Sequence, residues 1–313
     1  MNVLVPQRLK KGDCIGIISP ASPVADASRI ERGVRYLEGL GYRTKLGDAV
    51  YRRKGYLAGT DDERAGDIHA MFRDKNVRAI FCARGGYGSP RLLSKIDYRI
   101  VGRNPKIFLG YSDVTALSLA FWKKCRLVTY HGPMLAVDLQ GDVNAFAEES
   151  LWRTLASPGR NAVLAASEAP PAAAHASGTA TGRLLGGNLS LVVSLLGTPY
   201  MPDLRGALLF LEEIGEDPYR VDRMLTQIRN AGVFTRASGL ALGHFTDCVP
   251  RDPAAPTIPL QSILAETAAA AGTPVLGGFP FGHEKPMATL PVGLRARLDA
   301  GKGVITLLEP STS

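Results

Sequence analysis

The strongest constraint on the fold is the alternation of short apolar runs with amphipathic helical segments from Cys14 to Tyr130. Cys14-Ile-Gly-Ile-Ile-Ser19 is an apolar run closed by Pro20 and reads as a buried strand. From Ala27 to Leu40, the residues Ile30, Val34, Leu37 and Leu40 recur at helical spacing, and Gly41 stops the pattern. Tyr42–Leu46 reads as a second strand. Asp61–Arg73 reads as a helix, with Thr60 as N-cap and Glu63 at capping-box distance. Val77–Cys82 is a third strand that runs into Arg84-Gly-Gly-Tyr-Gly88, and a helix starts at Pro90–Leu93. Ile107–Leu109 is a fourth strand, followed by a helix over Val114–Lys124 and a fifth strand over Leu127–Tyr130. This repetition predicts a parallel sheet with helices on both faces. In such sheets ligands bind beyond the carboxyl ends of the strands.

The second half has another character. Asn161–Thr181 is dominated by Ala, Pro, Ser, Gly and Thr around Ala165–Ala174, which reads as an exposed connection. Beyond it come a helix over Leu189–Leu196 and a buried strand over Ala207–Leu211 that ends in Glu212-Glu213. A helix over Pro218–Asn230, a strand over Leu240–Gly243 and a helix over Ile258–Ala271 follow. Arg295–Leu298 and Val304–Leu307 suggest a closing hairpin. The 313 residues exceed one domain of roughly 100–200 residues. The predicted division is a first domain over 1–160, a linker over 161–182 and a second domain over 183–313.

Composition removes several function classes. The net charge of +8 is spread along the chain, and the clusters Arg8-Leu-Lys-Lys11 and Arg52-Arg-Lys54 are short and poor in aromatics. That argues for a solvated basic surface and against a nucleic-acid platform. No run reaches the roughly 18 apolar residues of a membrane span. Met1–Lys10 lacks the pattern of a signal peptide. Cys14, Cys82, Cys125 and Cys248 are far apart, which argues against a disulfide framework or a zinc site. The expectation is a cytoplasmic protein with reduced thiols.

Ser112 follows the strand Ile107–Leu109 in Gly110-Tyr-Ser-Asp113. A sharp strand-to-helix turn would expose its hydroxyl and aim helix N–H groups at the same spot. The nucleophile-elbow pattern G-x-S-x-G is incomplete, because Val114 stands in place of the second glycine. The alternative is that Ser112 or Asp113 caps the helix. Arg84-Gly-Gly-Tyr-Gly88 permits close backbone approach to a ligand, with the Gly86 N–H as an oxyanion donor; it also reads as a plain β–α turn. No Gly-Lys-Ser/Thr follows, so it is not a P-loop. A serine nucleophile needs an imidazole base. His69 and His175 read as solvated bystanders, while His131, His244 and His283 remain open. Glu212 and Glu213 offer an orienting acid at a strand end, or else cap a turn before Gly215.

Taken together, these segments resemble the LD-carboxypeptidase family, the murein tetrapeptide carboxypeptidases with microcin-immunity hydrolases as relatives. The matching segments are Lys11–Pro20, Arg84–Gly88, Gly110–Asp113, His131-Gly-Pro133, Leu185–Leu189, Leu209–Glu213 with Pro218–Arg223, and Gly282-His283 with Leu290–Gly293. They run in the family's order over nearly the whole chain. The resemblance implies a flavodoxin-like (class I glutamine amidotransferase-like) α/β domain and a smaller mixed α/β C-terminal domain. It implies a Ser112–Glu212–His283 triad, with Glu213 one register step away, and an oxyanion hole from the backbone N–H groups of Gly86 and Asp113. It further implies a homodimer with neither cofactor nor metal, and a small muropeptide substrate that loses its terminal D-alanine. Arg84, Tyr87, Arg223 and His131 are candidate substrate contacts. His244 departs from the family pattern, in which a polar residue such as Gln is expected. An immunity-type hydrolase of a peptide-nucleotide antibiotic would need an aromatic-bearing loop, which the sequence does not reveal. A two-domain small-ligand binding protein is the non-enzyme alternative.

Overall fold

The chain is described by a computed structural model over residues 2–157, 163–164, 173–254 and 256–313. The first half forms β1 (Cys14–Ile18), α1 (Ser28–Gly39), β2 (Arg43–Leu46), α2 (Asp61–Arg73), β3 (Val77–Cys82), α3 (Tyr98–Arg103), β4 (Ile107–Leu109), α4 (Thr115–Cys125), β5 (Thr129–His131) and α5 (Ala145–Ala156). The strands pair in parallel in the order β2-β1-β3-β4-β5. That is the flavodoxin-like order, as the resemblance implies. β1, β4 and β5 are buried throughout, which is why the inner strands read as unbroken apolar runs. β2, at the edge, is largely exposed. The capping box of α2 is present: Thr60 Oγ1 accepts from the Glu63 N–H and the Glu63 carboxylate accepts from the Thr60 N–H. Sequence reading passed over α3 and α5. α3 spans six residues, too few for a periodicity, and both helices open on a side-chain cap, from Asp97 and Asn144.

The second half contributes β6 (Ala173–Ala176), β7 (Thr179–Asn188), α6 (Leu189–Leu195), β8 (Ala207–Ile214), α7 (Pro218–Asn230), β9 (Gly239–Thr246), α8 (Leu260–Ala271), β10 (Val275–Gly277), β11 (Leu290–Val292), β12 (Arg295–Asp299) and β13 (Val304–Leu307). A second sheet runs β13-β12-β7-β8-β9-β10-β6, with a parallel centre from β7 to β10. β12 and β13 form the expected antiparallel hairpin. Most of the Ala/Pro-rich stretch lies outside the described residues. Thr179–Gly182, read from sequence as part of the linker, are instead the first residues of β7. Their alternation of exposed and buried positions is a strand period hidden by small side chains. β11 leaves the second sheet and pairs antiparallel with β5, extending the first sheet. The chain end returns too: Tyr130 donates its hydroxyl to the Ser311 carbonyl at 2.6 Å. The two halves are therefore tied at several points. Among the described residues no helix is long and apolar enough to cross a membrane.

The tightest junction lies where the end of β7 meets α4. Gly187 (φ +134°) has no room for a Cβ against the Thr115 side chain. Thr115 Oγ1 accepts from the Asn188 N–H at 3.1 Å. One residue earlier, Gly186 (φ +148°) lies so close to Phe210 that a Cβ would overlap its carbonyl oxygen. Neither the φ value nor the space suits any other residue. Gly186→Ala is expected to destabilise the fold by about 3 kcal/mol, read as a lower midpoint in denaturant unfolding with an unchanged m-value.

Candidate active site

Ser112 sits at the carboxyl end of β4, first in the 3-10 turn Ser112–Val114 that leads into α4. Its φ is +60°, a left-handed conformation that costs a non-glycine residue about 1 kcal/mol. The strained elbow holds although the second glycine of the motif is absent. The capping alternative does not apply: neither the 3-10 turn nor α4 receives a side-chain cap bond. The Asp113 carboxylate points elsewhere. It accepts from the Ser89 N–H at 2.7 Å and the Gly88 N–H at 3.3 Å. Burial raises the Asp113 pKa, and these hydrogen bonds only partly oppose it.

Those bonds hold the glycine loop against Ser112. A Cβ on Gly85 would stand 2.9 Å from the Ser112 Cβ and 3.1 Å from its Oγ. Gly86 (φ +104°) lies beside Ser22, whose hydroxyl accepts from the Tyr87 N–H at 3.1 Å. The buried Arg64 of α2 donates to the carbonyls of Pro20 and Gly88 and fastens the far side of the loop. Ser22 and Arg64 escaped the sequence reading, and Gly85 figured there only as part of the glycine loop. A double glycine says that backbone approaches something closely, but not which glycine does so or what tethers it.

β8 carries the two glutamates near its carboxyl end, and strand alternation sends them to different partners. The register shift between Leu211 and Glu213 places its extra residue on β9, between Leu242 and Phe245. Glu212 is fully buried, and its Oε2 lies 2.7 Å from His283 Nδ1. Glu213 turns the other way and accepts from Asn188 Nδ2 at 2.8 Å, the Ser190 N–H at 2.8 Å and the Ser190 hydroxyl at 2.6 Å. Gly282 (φ +117°) lets the His283 loop close on Glu212, since a Cβ there would already stand 3.2 Å from the carboxylate. On another side of the imidazole lies Tyr111, the neighbour of Ser112, with ring centroids 4.9 Å apart. Burial pulls the His283 pKa down, but the hydrogen bond and charge of Glu212 outweigh it, so the imidazole titrates above its ordinary value.

The other histidines stand apart. His244 makes a backbone bond from its N–H to the Phe281 carbonyl, and burial lowers its pKa. His131 is buried under Tyr111 and against Phe210 and Phe281. Burial, with the neighbouring His283 charge, lowers its pKa to about 3. The expectation of a substrate contact from His131 gives way to packing, because an apolar aromatic box closes it from solvent. His69, read as a bystander, accepts from the Asp97 N–H at the start of α3. Arg84 donates to the Pro23 carbonyl at 3.3 Å. Tyr87 is exposed and meets Tyr56 edge-on at 5.6 Å on the loop's outer side. Arg223 lies on the exposed face of α7, stacked over Tyr219 at 5.2 Å.

A partly buried imidazole bonded to a buried carboxylate and packed on Tyr111, the residue before a serine on a strained strand-to-helix turn, is an arrangement suited to acyl transfer. Comparison with known proteins narrows the class. Residues 15–132 match the LD-carboxypeptidase N-terminal domain and residues 181–298 the LD-carboxypeptidase C-terminal domain. A probable murein peptide carboxypeptidase of Bacillus subtilis is 41% identical over 95% of this chain and 92% of its own length. The crystal structure of muramoyltetrapeptide carboxypeptidase from Oxalobacter formigenes superposes with a TM-score of 0.82 at 33% identity, covering 94% of this chain and 97% of that one. The microcin C7 self-immunity protein MccF of Escherichia coli is 29% identical over 98% of this chain and 96% of its own length. The protein is thus of the peptidase class. It belongs to the LD-carboxypeptidase family.

Two titrations follow from the geometry. In Glu212→Gln the opposing charge is gone and burial remains, so the His283 pKa should fall below its ordinary value of about 6.5, read from the imidazole proton shifts by NMR. An unmoved pKa would show that Glu212 is not what raises it. His131 is held neutral when folded, so its contribution to stability is complete above the unfolded value of about 6.5. Stability should decline as pH drops from there toward about 3. In His131→Phe, denaturant midpoints should show a shallower decline across that window.

Proposed function

We propose that this chain is a serine-type LD-carboxypeptidase that removes the terminal D-alanine from cell-wall muropeptide tetrapeptides during peptidoglycan recycling. The observation that carries the reading is the 2.7 Å bond between His283 and the fully buried Glu212. With its Nδ1–H donated to that carboxylate, the imidazole keeps a lone pair on Nε2 for the Ser112 proton. Ser112 Oγ then attacks the carbonyl of the residue before D-alanine. Glu212 stabilises the imidazolium, which returns the proton to the leaving D-alanine nitrogen. The backbone N–H groups of Gly86 and Asp113 hold the oxyanion, and water deacylates Ser112. The absence of a side chain at Gly85 lets the glycine loop lie against Ser112, where a Cβ would crowd its side chain.

The murein and muramoyltetrapeptide carboxypeptidases among its relatives support the substrate class. Both tryptophans are engaged inside the protein, which weighs against a nucleotide-stacking role. Trp122 is buried, and Trp152 stacks on Tyr42 at 5.1 Å while donating to the Tyr36 hydroxyl. We take the protein to be a cytoplasmic homodimer; its four cysteines are free and buried, as a reducing compartment permits.

The test is incubation with L-Ala-γ-D-Glu-meso-diaminopimelate-D-Ala, following D-alanine and tripeptide by mass spectrometry. Ser112→Ala and His283→Ala are each expected to lower kcat by at least about 10³-fold, and the double variant by little more than either. Because the base must be neutral, kcat/KM of the wild type should rise with pH to a midpoint above about 6.5. Undiminished D-alanine release by Ser112→Ala would refute the mechanism. Tight binding of an intact tetrapeptide with no release under any condition would favour a binding protein.

A further inference from the structure

The Ser112 site lies at the N-terminal end of α4 and the carboxyl ends of β7 and β8. The opposite ends of the same three elements meet around a second cavity of about 380 Å³. Trp122 and Arg126 come from the end of α4, Arg183 from the start of β7, Asp203 and Arg205 from the turn before β8, and Arg295 from β12. At about 3.3 Å per strand residue and 1.5 Å per helix residue, this cavity is roughly 10–17 Å from the catalytic groups. It is a separate place on the molecule.

Four arginines therefore line one cavity, Arg183 partly buried and Arg126, Arg205 and Arg295 exposed at its rim. Arg183 pairs with Glu309 at 3.5 Å. Among the described residues, Arg126, Arg205 and Arg295 have no carboxylate within ion-pair distance. Asp203 spends one oxygen on the Arg205 N–H at 3.0 Å. Counting Asp203 and Glu309 against the four arginines leaves two positive charges uncompensated. Such convergence is unfavourable by itself and is relieved by an anion.

The cations are also positioned. Trp122 is buried, and the guanidiniums of Arg126 and Arg183 stand 5.2 and 5.3 Å from its ring. Arg183 Nη1 also donates to the Gly293 carbonyl at 2.8 Å, so it is held in place, while the cation–π contact of Arg126 leaves its N–H edges for a ligand. Gly293 (φ +102°) backs the same ring so closely that a Cβ could not fit. Arg126 itself is at φ +59°, the αL position after a helix where glycine costs least. An arginine there spends stability on placing a charge.

We propose that this cavity binds a small phosphate-class anion carrying at least two negative charges, such as a phosphate monoester or a diphosphate. The volume suits a small molecule. Guanidiniums that converge from four chain segments match tetrahedral phosphate oxygens better than a planar carboxylate. The site takes nothing from the Ser112 chemistry and stands whether or not that reading holds.

The experiment is calorimetric titration of the full chain with pyrophosphate at low ionic strength. Wild type and Ser112→Ala should bind alike. Arg126→Gly should melt no lower than wild type, since glycine relieves the αL strain, yet bind at least about tenfold more weakly. Arg126→Gly combined with Arg205→Ala should abolish binding. No binding to wild type, or binding unchanged in the double variant, would overturn the site. Loss of binding in Ser112→Ala would do the same by moving it to the catalytic cleft. Equal affinity for citrate would overturn the phosphate assignment.

Discussion

The buried hydrogen-bonded seam from Thr115 through Asn188 to Glu213 is what the rest of the structure depends on. Thr115 begins the helix behind Ser112, Asn188 ends β7 and caps α6, and Glu213 lies next to Glu212 on β8. Each link is a single hydrogen bond, and such bonds net only about 1 kcal/mol each. Their weight lies in what breaking them leaves behind: a buried carboxylate and amide without partners, at several kcal/mol. Gly187 makes the seam possible, because a side chain there would push against Thr115 and part the two halves, while Gly186 lets β7 lie close against Phe210 of β8. Ser112 belongs to one half, and Glu212 and His283 to the other. The seam therefore ties the half that carries Ser112 to the half that carries the other two.

Two consecutive glutamates on a buried strand face opposite sides, each at a large desolvation cost. Here Glu213 is satisfied by Asn188, Ser190 and the Ile214 N–H, which makes it a fixed structural anion. Among the described residues Glu212 has one hydrogen-bond partner, His283, and its Oε1 has none. A carboxylate so poorly compensated strongly favours a positive imidazole beside it. That preference is useful if the imidazole must accept a proton during a reaction, and it explains why the raised pKa of His283 survives burial.

Much of this was legible in the sequence, for identifiable reasons. The parallel sheet was visible because strands covered on both faces are continuous apolar runs, and the α2 boundary because a capping box is a local signal. The adjacent pair Glu212-Glu213 could not be assigned from sequence, because alternation sends the two to opposite faces and residue type does not say which face holds an imidazole. His131, at a strand end, and His283, in a Gly/Pro-rich loop, both stayed open by residue type; the packing of His131 under Tyr111, Phe210 and Phe281 and the bond of His283 to Glu212 separate them. Thr179–Gly182 read as linker because small residues carry almost no hydrophobic alternation. The guanidinium cluster was invisible for a plainer reason. Arg126, Arg183, Arg205 and Arg295 are scattered through the chain, and their convergence is a property of the fold alone.

The loop that carries His283 shows how far the two halves depend on each other. It leaves the second sheet at β10 and enters the first at β11, where Leu290–Val292 pair with β5. Between these anchors the Ala288 N–H reaches the Pro280 carbonyl at 2.7 Å, and the Thr289 N–H reaches Ser150 Oγ of α5 at 3.0 Å. The imidazole is thus strung between the sheets rather than carried on one of them. The position of the imidazole therefore depends on both anchors, and its short bond to Glu212 fixes it between them. The geometry at His283 is in this sense a readout of how the halves dock, and the interlocking glycines and the returning β11 strand hold that docking to one arrangement.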